Sequence, residues 1–270
     1  MTLLKEYVSK SENETQNIAN IFSKYIKINS IVYIEGDLGA GKTFFTKSLV
    51  KNFGISDIEI IVVDDNSPDN TWEIVENIQC SDAAIGVIRR MENPGLTNSI
   101  NHGIQSATKD VIIWLDCDFS HPPDKIPQLI FMLNQGYDIA VNSRYTIGAG
   151  EERSGKGGTL QLFLSRLLNW SVRFLLYPSF SDYTSGFIAV KREVFNEMTL
   201  NGDYGEYFVD FIYRSLKKGK YKVCEIPFIA PSRKSGESKT GKNIYDYFMR
   251  GRKYIYTVLK LRILSLIKKL

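Results

Sequence analysis

The chain has 270 residues, 43% hydrophobic and 24% charged, ordinary values for a soluble globular protein that can bury a sizeable core as one large domain or one and a half. Its three cysteines, Cys80, Cys117 and Cys224, are far apart and odd in number, which argues against a disulfide frame or a zinc site and for a reducing compartment. No uncharged apolar run approaches the ~18 residues of a membrane span, and the mixed, polar N-terminus does not read as a signal peptide, so the expected location is the cytoplasm. The net charge of +4 is unevenly spread, because no acidic residue follows Asp246 while Arg250, Arg252, Lys253, Lys260, Arg262, Lys268 and Lys269 all do. That tail favours an anionic surface.

In chain order, residues 11–27 predict a helix: Ser11 and Glu14 form a capping box, and Ile18, Phe22 and Tyr25 or Ile26 recur at helical spacing. A short strand, Ile31 to Ile34, leads into Gly36-Asp-Leu-Gly39-Ala-Gly41-Lys42-Thr43 and an apolar-faced helix, Phe44 to Phe53. This is a complete G-x-x-x-x-G-K-[ST] in strand–loop–helix context. Backbone N–H groups there cradle phosphates, and Thr43 is placed to hold Mg²⁺. Residues 8–55 resemble the start of the small bacterial P-loop ATPase of tRNA threonylcarbamoyl-adenosine biosynthesis, which implies ATP at Gly36, Gly39, Gly41, Lys42 and Thr43. A P-loop alone hydrolyses nothing without an acidic residue on a neighbouring strand and a group that positions water.

Residues 58–65 (IEIIVVDD) predict a strand, followed by the turn-rich Asp64-Asp65-Asn66-Ser67-Pro68-Asp69-Asn70 and a short helix, Trp72 to Ile78. A second helix runs from Thr97 to Ala107. Val111 to Leu115 is an unbroken apolar run suited to a strand buried on both faces of a parallel sheet. It ends in Asp116-Cys-Asp118-Phe-Ser120-His-Pro-Pro, where Asp116, Asp118 and Ser120, two apart, project to one side while the chain stays extended. Carboxylates at the end of a buried strand suit Mg²⁺ or Mn²⁺ carrying a diphosphate; a solvated turn is the alternative. His102 and His121 are read as structural, His121 as a cap or brace for that turn.

Further on, the glycine-rich and charged Gly148 to Gly158 reads as a mobile lid or a flexible linker. Leu160 to Tyr177 is very apolar yet broken by Arg166 and Arg173, and reads as an interfacial helix or a core-docked helix pair. Tyr254 to Leu270 repeats that basic, amphipathic character and either meets a membrane surface or packs on protein.

Taken together, DDNSPDN, Asn93-Pro-Gly-Leu, DCDFSHPP, Asn142-Ser-Arg144-Tyr, Asp182-Tyr-Thr-Ser-Gly-Phe187, Gly205-Glu-Tyr-Phe and Arg233-Lys-Ser-Gly-Glu-Ser238-Lys239 resemble, in order and spacing, the family 2 glycosyltransferases of the polyprenyl-phosphate sugar synthase type, such as dolichol-phosphate mannose synthases. The likeness runs from about Asp57 to Arg262. It implies a three-layer α/β fold of the GT-A type with a mostly parallel sheet, and a metal-dependent, inverting transfer of a hexose from a nucleotide sugar of the GDP-mannose or UDP-glucose class to a polyprenyl phosphate. It implies a cation on Asp116, Asp118 and Ser120; nucleotide-sugar contacts at Asp64, Asp65, Asp116 and Asp118; and acceptor-phosphate contacts at Arg144, Ser165, Arg233, Ser238 and Lys239. Asp118, Arg144 and Arg233 carry the chemistry in that reading, at the cytoplasmic face of a membrane and without nucleic acid.

Two departures from the family pattern matter. The usual opening strand, which walls the nucleotide-base pocket, is replaced by the P-loop strand and helix, so the chain reads as a fusion joined near Gly54 to Asp57. Gln161 stands where an arginine is usual, which shifts phosphate binding toward Arg144 and Arg153. The expected organisation is a P-loop fragment at 1–55, a glycosyltransferase domain at 57–243 and a basic amphipathic helix at 244–270. The rival readings are a P-loop ATPase or binding module in tRNA modification, and an inactive fusion.

Overall fold

The computed structural model describes residues 8–23, 58–80, 83–116, 120–151, 158–231 and 244–267. The chain divides into two compact units, 1–58 and 59–270. In the first, helix α1 spans Glu12–Ser23. The Ser11 hydroxyl accepts from the Glu14 N–H at 3.2 Å while the Glu14 carboxylate accepts from the Lys10 N–H at 2.6 Å, so the predicted box closes one residue further out than usual. The P-loop residues Gly36, Gly39, Gly41, Lys42 and Thr43, with their flanking strand and helix, lie outside the described residues, as does the expected end of the helix at 24–27.

The second unit is built on strands that are short and apolar. Strands β1 (Ile60–Asp64) and β2 (Ile85–Arg89) pair in parallel, Ile60 opposite Ile85 through Asp64 opposite Arg89, with helix α2 (Thr71–Gln79) between them in sequence. Helix α3 (Leu96–Ser106) leads to β3 (Val111–Trp114), and a 3₁₀ turn at Pro123–Lys125 opens α4 (Ile126–Asn134). Next come β4 (Ile139–Ser143), the two-residue β5 (Gly150–Glu151), α5 (Gly158–Leu175) and β6 (Ile188–Lys191). Helix α6 (Glu206–Lys218), β7 (Val223–Pro227), β8 (Ile229–Ala230) and α7 (Ile244–Leu266) complete the unit.

The larger sheet has the order β3-β6-β4-β7, and β5 pairs with β8. Here the structure departs from the parallel environment expected for Val111 to Leu115, because β3 pairs with β6 antiparallel. The cause is the route into β6, which returns along the sheet between β3 and β4 and runs against both. The sheet is therefore mixed, with β4 and β7 parallel. Since β3 and β4 both oppose β6, they run the same way and their carboxyl ends share one edge.

Strand alternation sorts the side chains into two layers. Ile112, Ile139, Val141, Ile188 and Val190 face a cluster closed by Val172 of α5, Phe208, Phe211 and Ile212 of α6, and Val258 and Leu261 of α7. Ala140, Phe187, Ala189 and Ile226 face Leu129 and Leu133 of α4. Helices thus cover both faces of the sheet, as the three-layer expectation requires.

The apolar helices each turn two ways. Helix α5 buries Val172, as the chain just past its end buries Leu176, yet the helix exposes Leu167, Trp170 and Phe174, with the Trp170 and Phe174 rings stacked at 6.0 Å. Helix α7 buries Val258 and Leu261 and exposes Ile255, Tyr256, Leu259 and Ile263. Among the described residues no helix is long and apolar enough to cross a membrane. Part of the glycine-rich 148–158 segment is ordered as β5; Arg153 lies outside the described residues.

Candidate active site

The end of β1 delivers two adjacent carboxylates with different duties. Asp64 is buried, and one of its oxygens accepts from the Ser67 N–H at 2.7 Å, which closes the turn after the strand. Asp65 is committed further: Oδ1 accepts from Arg90 at 2.6 Å and from the Ser99 hydroxyl at 2.9 Å, and Oδ2 accepts from the Gly95 N–H at 2.7 Å. It thereby ties the DDNSPD loop to the N-terminus of α3, where a negative charge is favoured. Asn66, with φ of 58°, accepts two bonds from Arg89, whose guanidinium lies 3.6 Å from the centroid of the Trp72 ring. Asp65→Asn is expected to lower stability by about 1–2 kcal/mol in urea unfolding, since it weakens a charge-assisted network.

The end of β3 delivers Asp116, which is exposed. Its N–H donates to His121 Nδ1 at 2.9 Å, so that nitrogen carries no proton and His121 braces the turn, as read from the sequence. The imidazole is buried and stacks on Phe187 at 5.0 Å. Trp114 donates to the Tyr207 hydroxyl at 2.9 Å. Burial pushes the Tyr207 phenol well up, Asp116 adds to the rise, and the Trp114 bond offsets part of it. The phenol therefore stays neutral beside Asp116. Asp116 has no hydrogen bond to its carboxylate among the described residues, and an exposed carboxylate at a strand end suits Mg²⁺ or Mn²⁺. Among the described residues no three His, Cys, Asp or Glu side chains gather into a cation cage. Asp118 lies outside the described residues, and a cation site here rests on it.

The end of β4 delivers Arg144. Its Nε and Nη2 donate to the two oxygens of Asp182, each at 2.9 Å, its backbone N–H donates to Asp182 as well, and Nη2 also donates to the Thr184 hydroxyl at 2.8 Å. Nη1 lies 3.5 Å from Glu151. Burial opposes the Asp182 charge, but the guanidinium beside it outweighs burial and holds this carboxyl below the usual range. Arg144 is correspondingly held as a cation. The Tyr145 and Ser165 hydroxyls meet at 3.2 Å, which sets predicted Ser165 against the residue after Arg144. Arg233, Ser238 and Lys239 lie outside the described residues.

Between Asp116 and Arg144 runs the segment Asp182 to Phe187. A Cβ on Gly186 would stand 3.8 Å from the Tyr207 oxygen and 3.9 Å from a His121 carbon, ordinary contact distances, so glycine is favoured here by its φ of 73° rather than by space. The edge thus carries Asp116 and Arg144 at the ends of β3 and β4, with Asp64 at the end of a strand in the other sheet. Sequence reasoning quoted the Asp182 motif but gave Asp182 no role, and it missed Asn169, Tyr207 and Glu225. The usable signal was Arg144 itself, because an arginine buried at a strand end needs a counter-ion.

A model of the family described as glycosyl transferase family 2 matches residues 44–199, more than half of the chain. The chain is 36% identical to dolichol-phosphate mannosyltransferase of Pyrococcus furiosus over 211 residues, 75% of this chain and 55% of that protein. It is 31% identical to polyprenol monophosphomannose synthase of Mycolicibacterium smegmatis over 203 residues, 70% of this chain and 73% of the relative. The chain therefore spans little more than half the length of the Pyrococcus protein. Among solved structures, glucosyl-3-phosphoglycerate synthase from Mycobacterium tuberculosis, in complex with Mn²⁺ and uridine diphosphate, superposes with a TM-score of 0.53 at 17% identity. That superposition covers 77% of this chain and 74% of the other, and it is a likeness of fold.

Proposed function

The chain belongs to glycosyl transferase family 2, and we propose that within it the chain moves a hexose, with inversion, from a nucleotide-diphosphate sugar to a polyprenyl phosphate. The named mannosyltransferase relatives favour mannose as the sugar. The observation that carries this reading is the shared edge of β3 and β4, where an exposed carboxylate, Asp116, stands on one side of residues 182–187 and a mostly buried arginine, Arg144, on the other.

In this reading Asp116 and Asp118, with Ser120, hold Mg²⁺ or Mn²⁺, which supplies Lewis-acid neutralisation of the leaving diphosphate. His121 keeps the turn closed behind Asp116. Asp64 offers its second oxygen to the ribose or base, whereas Asp65 supports the loop. Arg144, Ser165, Arg233, Ser238 and Lys239 receive the acceptor phosphate. The Arg144 guanidinium spends most of its donors on Asp182 and Thr184, so its share is an Nη1 proton and a fixed positive charge. A phosphate monoester, with a second pKa near ~6, is already anionic at neutral pH and needs no general base. The exposed apolar side chains of α5 and α7, interleaved with Arg166, Arg173, Lys260 and Arg262, suit peripheral contact with an anionic membrane at its cytoplasmic face.

Radiolabelled mannose supplied as its GDP ester, with polyprenyl phosphate and Mn²⁺, is expected to enter an organic extract, and Asp118→Ala or chelation should abolish that transfer. Label that stays in the aqueous phase under all sugar-nucleotide conditions would reject the reading. The rival reading, a P-loop ATPase at residues 1–55, rests on the G-x-x-x-x-G-K-T sequence alone; metal-dependent ATP hydrolysis lost on Lys42→Ala would be its signature.

A further inference from the structure

Helix α5 presents a polar side chain, Asn169, to the core. Asn169 is 3% exposed, between the exposed Leu167 and Trp170 on one side of the helix and the buried Val172 one turn on. A buried amide of this kind is costly unless both its donor and its acceptor are used. Both are: Oδ1 accepts from the Tyr183 N–H at 2.8 Å, and Nδ2 donates to the Ser181 carbonyl. Asn169 thus grips the backbone on either side of Asp182 and mimics a strand partner.

From the opposite side Glu225 of β7 accepts from the N–H groups of Ser181 at 2.7 Å and Asp182 at 2.9 Å. The three residues 181–183 are therefore held by side chains rather than by a sheet, and the Asp182 carboxylate between these grips makes the bidentate pair with Arg144. One turn earlier on the same helix, Ser165 meets Tyr145, the residue after Arg144. Positions four apart lie on one helix face, so α5 contacts the residue after Arg144 and the residues on either side of Asp182.

We propose that Asn169 is a positioning residue for the acceptor site: it fixes Asp182, and through it the Arg144 guanidinium, to the face of α5 opposite its exposed apolar side. The proposal rests on the reading that Arg144 meets the acceptor phosphate. Glu225 shares the task from the sheet side. Because the sugar nucleotide is held at Asp116 and Asp64, this relay governs the acceptor and leaves the donor alone.

Asn169→Leu removes both bonds while keeping the number and branching of side-chain heavy atoms, and Asn169→Ser is the smaller change should the leucine variant fail to fold. With a short-chain polyprenyl phosphate, the acceptor KM is expected to rise by about tenfold or more while the donor KM stays within about twofold. A folded variant whose acceptor KM is unchanged, or whose donor and acceptor KM values rise together, overturns the proposal. A second readout does not depend on activity. The Arg144 Nε–H resonance, assigned by its loss in Arg144→Lys, should exchange slowly with solvent in the native chain and rapidly in the Asn169 variants. Retained protection in those variants rejects the relay, whereas absence of sugar transfer by the native chain rejects the acceptor reading alone.

Discussion

Asp182→Ala is expected to destabilise the protein by about 3–5 kcal/mol, the largest effect of any single substitution at the proposed site. The carboxylate is fully buried and the Arg144 side chain is only 11% exposed, so its removal leaves a poorly solvated guanidinium whose remaining anionic neighbour is Glu151, 3.5 Å from Nη1. It also strips an acceptor from the N–H groups of Arg144 and Thr184. Replacing both partners by apolar residues, Asp182→Leu with Arg144→Met, should recover much of that loss, because no charge is then stranded. Equilibrium urea unfolding of the single and double variants separates the two cases, and equal losses would contradict the assignment.

The same pair carries a pH signature. Because Arg144 holds the Asp182 carboxyl below its ordinary value of 3.8, the folded state binds that proton less readily than the unfolded chain. The stability it contributes is complete above the unfolded value and is lost as pH falls through the lower folded one. The gap in stability between the native chain and Asp182→Asn should therefore be constant above about pH 5 and narrow only below about pH 4.

Gly205→Ala is expected to cost about 1–3 kcal/mol, although the residue has ordinary helical backbone angles and no conformational need for glycine. The reason is space: an added Cβ would lie 2.1 Å from the Tyr254 hydroxyl oxygen and 3.3 Å from the ring carbon that bears it. Tyr254 belongs to α7, whose Val258 and Leu261 are buried against the sheet-covering cluster, so the ring cannot swing away without lifting the helix. Combining Gly205→Ala with Tyr254→Phe removes the atom at 2.1 Å and should restore most of the stability in the same unfolding assay. A single variant as stable as the native chain would show that α7 is not held at this contact.

Local signals were readable and distant partnerships were not. Ser11 and Glu14 announce a helix start within four residues, and the apolar runs ending at Asp64 and Asp116 announce strands with carboxylates at their ends. His121 could be assigned as a brace because the turn it serves is five residues away. By contrast, strand direction leaves no trace in an apolar run, so the antiparallel pairing of Val111–Trp114 with β6 was invisible. Asp182 lies 38 residues from Arg144, and Glu225 a further 43 beyond Asp182, so no spacing rule connects them. Asp65 shows a different gap: its chemistry fits a nucleotide ligand as well as it fits Arg90, and the partnership with Arg90, 25 residues away, is visible only in the fold. The two-sided character of α5 was legible as a conflict between its apolar content and its arginines, and the fold resolves it by burying one face and exposing the other.

Titration calorimetry of a nucleoside diphosphate, GDP or UDP, against the native chain with and without Mn²⁺ tests most directly whether a divalent ion on the Asp116 to Ser120 turn holds the donor's diphosphate. The expected result is binding that appears only with the cation, is lost in Asp118→Ala and is weakened in Asp116→Ala. Binding of equal strength without the cation, or undiminished in Asp118→Ala, would contradict the assignment.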